Sequence, residues 1–242
     1  TDLAVKIAKA SGLVGGQPAD LGPAVTSRGE YRTPIQIDPF AIPTSDKVDL
    51  LLEADRNMAR VKGVTVRQGH LTFIREEKQF ANSEGAQTGQ TIYEAGGGIV
   101  ATAVDEDEVQ RRSYPDSGGQ QGCAGWEYIL AMDLPGNAER AAAEAVALLA
   151  ADHCPSNIQT TVILGGAQVA LQVHESCGHP AELDRVFGDE AAYAGTSFLT
   201  TDKLNTFRYG SEIVNLTADS LRYTGLGTFG WDDEGVPACS TP

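Results

Sequence analysis

The sequence predicts an α+β fold: a helix and antiparallel-sheet domain over residues 1–165, then one more helix and the start of a β-rich domain over 166–242. Three observations point to it. Helical periodicity near the start gives way to a long stretch of period-two alternation. Two helical segments then flank one β-branched run. A tail rich in Thr and Gly carries only short alternating runs. Strands and helices therefore come in blocks, unlike the strict alternation of a doubly wound sheet.

Residues 1–10 place Leu3, Val5, Ile7 and Ala10 on a short helix that stops at Gly12. Residues 15–43, with Gly15-Gly16 and Pro18, Pro23, Pro34, Pro39 and Pro43, read as an irregular connection with a short strand near 31–37. Thr44 or Ser45 caps the next helix, whose stripe is Val48, Leu51, Leu52, Ala59 and Val61 and whose end is Gly63. Val64/Val66 and Leu71/Phe73 then alternate around Gln68-Gly69-His70, which is expected to turn a hairpin. Strands are expected at 88–94, 98–104 and 109–114, with Gly96-Gly97-Gly98 a break between the first two and 115–119 the end of the meander. The three glycines lack the spacing and following helix of a dinucleotide site. Asn137 is expected to cap an alanine-rich helix over 138–151, with Val146 and Leu149 inward. Residues 158–164 read as a strand, and 167–179 as a helix ended by Pro180.

Composition narrows the function classes. Eighteen Lys plus Arg against thirty-three Asp plus Glu give a net charge of −15, which repels phosphate backbones and anionic lipid. No nucleic-acid or membrane partner is expected, and no run approaches the roughly eighteen apolar residues of a membrane span. Residues 1–10 show neither a signal-peptide core nor an initiator Met, so a trimmed N-terminus is expected. Cys123, Cys154, Cys177 and Cys239 form no C-x-x-C pair and read as free thiols of a cytoplasmic protein.

Chemistry concentrates in His174-Glu175-Ser176-Cys177-Gly178-His179, an H-E-x-x-x-H hexapeptide holding two of the four histidines. Neutral imidazoles bind a borderline metal such as zinc, which lowers the pKa of bound water. A carboxylate beside the first ligand can take that water's proton. The plainer reading is a helix end with a capping His179 and a surface Glu175. Spacing is the complication. Histidines four apart lie about 40° round a helix, but five apart they lie about 140° round and diverge. Both reach one ion only if the turn is distorted by a π-bulge or by unwinding, and Gly178 and Pro180 make that distortion cheap.

The hexapeptide and several other segments resemble the TldD/PmbA family of metalloproteases, on its motif-bearing, TldD-like side. Ala81-Asn82-Ser83-Glu84-Gly85 is similar to the family's "ANSEG" turn, and Arg111-Arg112-Ser113-Tyr114-Pro115 with Ser117-Gly118-Gly119-Gln120 to a second segment. Glu182-Leu183-Asp184, Ala192 through Phe198, and Leu226-Gly227-Thr228-Phe229-Gly230 through Pro237 extend the likeness, which runs from Val48 to Ala238. The resemblance implies zinc held by His174 and His179, with Glu175 as catalytic base and acid. It implies cleavage of unstructured peptides by paired subunits, so a TldE/PmbA-like partner subunit or a homo-oligomer is expected. The family's third ligand is a cysteine near the C-terminus, with no counterpart here; Cys239 is not expected to replace it, and Cys177 reads as a packing residue. A chain truncated in its β-rich domain, with two ligands holding zinc weakly, is the expectation. A noncatalytic module that pairs subunits, or captures extended peptides by strand addition, is the alternative.

Among other residues, Glu182 and Asp184 are placed to orient a ligand histidine or to form a solvated acidic turn. His70 and His153 are not expected to be ligands, Ser117-Gly118-Gly119 lacks a His–Asp pair for serine chemistry, and Trp126 and Trp231 read as core or interface anchors.

Overall fold

The computed structural model describes residues 2–14 and 22–241. Part of the irregular connection expected over 15–43, residues 15–21, lies outside the described residues. The fold mixes helices with sheet, as an α+β class requires.

One strand organises the sheet. β2 (Val64–Ala81) and β3 (Gln87–Val104) pair antiparallel over almost their whole length, from Ala81↔Gln87 to Val64↔Ala103. The hairpin turns at Asn82, whose side-chain oxygen accepts the N–H groups of Glu84 (3.1 Å) and Ala86 (2.8 Å), while Gly85 takes φ +108°. The opposite edge of β3 is shared by three short strands: β1 (Arg28–Arg32), parallel; β5 (Gln120–Gly122), antiparallel; and β4 (Val109–Tyr114), antiparallel. β3 is accordingly buried along most of its length, while the edge strand β2 is largely exposed.

Three sequence expectations fail here for one reason. No hairpin forms at 68–70, because β2 runs straight through it. β3 runs unbroken through Gly96-Gly97-Gly98, and the meander does not end at 119, because β5 returns to β3. Each glycine is a point of close approach. A Cβ on Gly97 would lie 2.6 Å from Leu71 Cδ2 and 2.8 Å from the His70 carbonyl oxygen, and one on Gly96 would lie 2.7 Å from the Gln120 carbonyl oxygen. Gly69 likewise leaves room for Leu51, whose Cδ2 would sit 3.0 Å from a Cβ there.

Helices cover one face of the sheet. α1 (Asp2–Ser11) forms where expected, but Leu3, Val5 and Ile7 are exposed. β1 lies earlier than the expected 31–37. α2 (Thr44–Met58) follows Pro43 without the expected side-chain cap from Thr44 or Ser45. α4 (Leu134–Leu148) is capped by Asp133, whose carboxylate accepts the Gly136 N–H at 3.1 Å. Asn137, the expected cap, sits inside the first turn and donates from its side chain to the Asp133 carbonyl. Ala138, Ala141, Ala142 and Ala145 form a buried stripe on α4, and the small side chains of Ala138, Ala142 and Ala145 let the helix lie close on Ile99, Ala101 and Ala103 of β3. Met58, Met132 and Leu134 fill the remaining space. α3 (Trp126–Met132) was not expected. Its start is clamped by Glu127, which accepts the N–H groups of Ile37 and Gly125, each at 2.9 Å.

Beyond α4 the chain loses regular pairing. The strand expected at 158–164 does not form; Ile163 is 97% exposed and no described strand lies beside the run. α5 (Gly166–Val173), a π-turn (His174–Gly178), α6 (His179–Ala181) and α7 (Leu183–Phe187) follow. The tail is mostly loop, with a 3₁₀ turn (Thr201–Lys203), one small ladder of β6 (Ala218–Asp219) with β7 (Ser240–Thr241), and a bridge from Trp231 to Pro237. Its end returns to the sheet. The Gln90 side chain donates to the Trp231 carbonyl (2.8 Å) and accepts from the Gly230 N–H (3.2 Å), and Lys78 pairs with Asp233 at 3.0 Å. Among the described residues no helix is long and apolar enough to cross a membrane.

Candidate metal centre

The motif sits where the helix changes pitch. α5 enters as an ordinary helix from an extended Gly165, and at His174 the repeat widens: the His179 N–H bonds the His174 carbonyl, five residues back. That bond closes one turn over the motif's five-residue spacing, so the two rings come to one face. Their centroids are 4.2 Å apart, edge to face at 71°. One donor atom from each of His174, Glu175 and His179 lies within 4.8 Å of the others. The helix does not stop at Pro180 as expected but continues to Ala181, Pro180 occupying a first-turn position of α6 where its missing N–H is tolerated.

Access and charge differ along the cluster. The side chains of His174 and Glu175 are more than half exposed, that of His179 about a quarter. Glu175 Oε1 stands 4.0 Å from His174 Nε2. Glu182 contacts His179 directly, Oε1 lying 2.8 Å from Nδ1. The hydrogen bond to His179, helped by Arg185, holds the Glu182 carboxyl below the usual carboxylate range against an opposing loss of hydration. Arg185 Nε lies 2.7 Å from Glu182 Oε2 as an ion pair, out of hydrogen-bond alignment. Asp184 does not reach a histidine; its carboxylate accepts the Arg185 N–H at the start of α7. Glu182, Asp184 and Glu190 form a second acidic group, and Arg185 already offsets two of its members.

Among the described residues no cysteine sulfur joins the His174–Glu175–His179 cluster. All four cysteines are unpaired. Cys177 is half-buried on the π-turn, Cys239 lies exposed beside Thr241, and Cys123 is buried with its sulfur 3.4 Å from the carbonyls of Leu226 and Thr228. Burial pushes the Cys123 thiol up, which keeps it protonated. His70 pairs within the sheet and His153 lies 3.8 Å from Glu108, both away from the cluster. Trp126 packs on Phe73 in the core and Trp231 over Gly29, as anchors.

Two residues at this site carried no signal in the local sequence. Tyr209 donates its hydroxyl to the Ser176 carbonyl, and Ser197 donates to the Pro180 carbonyl at 2.6 Å. The available clue was Pro180 itself, four residues after Ser176, since a proline there supplies no N–H to that carbonyl.

A two-histidine and carboxylate donor set suits a borderline divalent metal such as zinc. The chain matches the family model for the PmbA/TldA metallopeptidase central domain over residues 37–149 and that for the C-terminal domain over 157–242. A metalloprotease of Methanocaldococcus jannaschii is 25% identical over 219 residues, 87% of this chain and 43% of that protein. A crystal structure from Thermotoga maritima MSB8, described as that of a DNA gyrase modulator, shares the fold with a TM-score of 0.60 at 15% identity. That superposition covers 99% of this chain and 51% of the other. The chain thus spans about half the length of these relatives.

Proposed function

This chain belongs to the PmbA/TldA metallopeptidase family, and from that premise we propose that it carries the metal-binding and proton-transfer residues of a zinc-dependent peptidase acting on unstructured peptides. The π-turn carries the reading, because it gathers donor atoms of His174, Glu175 and His179 within 4.8 Å. His174 and His179 would hold the ion, His179 through Nε2, since its Nδ1 is engaged by Glu182. When bound, zinc supplies Lewis-acid polarisation of a peptide carbonyl and a lowered pKa for water.

Glu175 would act as the base. Its carboxylate is exposed and lies beside His174 without a hydrogen-bond partner of its own among those described, so it is free to accept a proton from water and return it to the leaving amine. Glu182 would fix the His179 tautomer by accepting its Nδ1–H. The exposure of His174 and Glu175 leaves an extended peptide room to approach. A third ligand, a TldE/PmbA-like partner subunit or a second copy, and a cytoplasmic setting for the four free thiols complete the proposal.

A second reading rests on β2, whose outer edge is unpaired over Val64–Ala81 among the described residues. Such an edge can take an extended peptide by strand addition without cleaving it. Zinc content and peptide turnover, measured at equal folded concentration, separate the two. The peptidase reading expects zinc in the parent chain, loss of zinc and turnover in His174→Ala and His179→Ala, and loss of turnover with zinc retained in Glu175→Ala. Full turnover in Glu175→Ala overturns it, and peptide binding with no zinc taken up supports the strand-addition reading.

A further inference from the structure

A helical carbonyl is normally satisfied by the N–H four residues later. For Ser176 that residue is Pro180, which has no N–H and whose ring would crowd the same carbonyl in a regular helix. The π-turn relieves the crowding, and Pro180, having no N–H, cannot serve as the Ser176 oxygen's donor. Tyr209, remote in sequence, supplies one.

The donor is held in place. The Tyr209 ring packs 5.2 Å from that of Phe198, which lies 6.4 Å from Phe207. Ser197, next to Phe198, donates to the Pro180 carbonyl at 2.6 Å and accepts the Leu199 N–H at 2.9 Å. Residues 197–209 thus form a strap, and its two hydroxyls bind carbonyls on either side of His179. Reduced hydration, then the neighbouring Cys177, raises the Tyr209 phenol above its ordinary pKa, so it remains a donor throughout the neutral range.

We propose that Tyr209 is a positioning residue of the metal centre: its hydroxyl takes the Ser176 carbonyl that Pro180 leaves open, and so holds the π-turn on which His174 and His179 meet. The proposal rests on the reading of those histidines as metal ligands. The competing form of the segment is a regular helix, in which histidines five apart diverge by about 140° and cannot share an ion. Every interaction that favours the π-turn over that form therefore adds to metal affinity, although Tyr209 never touches the metal. Strap and site are coupled in the other direction as well. A metal bound by both histidines stabilises the π-turn and, through Ser176, the placement of 197–209.

Tyr209→Phe tests this in the full chain, because it removes the hydroxyl and keeps the ring on Phe198. Zinc affinity is read by competition with a chromophoric chelator, and backbone hydrogen exchange is read over 174–181 in the metal-free chain. Zinc binding is expected to weaken roughly three- to tenfold, the worth of one hydrogen bond. Exchange over 174–181 should quicken while exchange in β3 and α4 stays unchanged. Ser197→Ala should move both readouts the same way by less, and Tyr193→Phe, at a residue 93% exposed whose hydroxyl takes part in neither bond, should move neither. Unchanged affinity and unchanged exchange in Tyr209→Phe overturn the proposal. So does faster exchange spread through β3 and α4, which would make Tyr209 a general structural residue. If the parent chain takes up no zinc, the metal reading fails, and the local exchange change still decides whether the strap holds the turn.

Discussion

The sheet with α2 and α4, and the stretch from α5 to the tail, solve the problem of holding shape in different ways. In the first, Ile99, Ala101, Ala103, Leu134 and Ala142 are sealed from water, and geometry follows from close packing. In the second, no residue from 146 to 234 is buried, and large side chains such as Ile213 and Tyr193 stand almost fully exposed. The metal motif lies in this second region. Its geometry comes from local devices: a proline that disfavours a regular turn, a tyrosine hydroxyl on the Ser176 carbonyl, and a glutamate on the His179 ring. Packing gives the sheet its stability, while the motif's shape is set one hydrogen bond at a time.

Truncating side chains in the two regions should separate them most sharply. Leu134→Ala removes a fully buried side chain between helix and sheet and should cost about 2–5 kcal/mol. Ile213→Ala, 88% exposed, should stay within about 0.5 kcal/mol. Denaturant unfolding of both variants checks the contrast, and equal costs would erase it. Next in size is Gly97→Ala, where the added methyl meets Leu71 and the His70 carbonyl and should cost about 1–3 kcal/mol by the same measurement. A neutral result would mean that the strands part more easily than their spacing implies.

The clamp at Glu127 gives a smaller, pH-dependent effect. Burial pushes this carboxyl up, but N–H groups of Ile37 and Gly125 outweigh that and leave it below its ordinary value. A carboxyl depressed in the folded state stabilises at pH values above its unfolded pKa, and that contribution is lost as pH falls through the folded pKa. Glu127→Gln should therefore lose about 1–2 kcal/mol at pH 7. The gap between variant and parent should close as the pH is lowered past the unfolded carboxyl's pKa near 4. A gap that persists at low pH would assign the effect to shape and not to charge. Smallest in energy, but visible, is association. The exposed Leu171, Phe187, Leu204, Phe207 and Ile213 of the second region are expected to draw copies together, and light scattering from a dilute sample should show more than monomer.

Legibility followed the same division. β4 matched its expected limits because the acidic 105–108 turn bounds it on one side and Pro115 on the other. A distortion was legible because two histidines five apart can share an ion only with one, and Gly178 and Pro180 make it cheap. Whether it is a π-turn or an unwound end is decided by the structure alone. Glycine misled: Gly69 and Gly96 through Gly98 read locally as breaks, yet each marks where a neighbouring strand or helix comes close, which only the tertiary structure reveals. The 158–164 run has strand-forming side chains but no strand beside it among the described residues, so composition did not become a strand. α3 escaped because WEYILAM is too short to show a period, and Glu127 reaches across 90 residues to fix its start. Tyr209 escaped for a similar reason, since its partner lies 33 residues away.

The central claim is that the π-turn brings His174 and His179 to one ion, and X-ray absorption at the zinc edge tests it most directly. The full chain loaded with one equivalent of zinc should show two imidazole nitrogens at about 2.0–2.1 Å. His179→Ala should show no such pair. Zinc surrounded by oxygen alone, or by a single imidazole in the parent chain, would contradict the account.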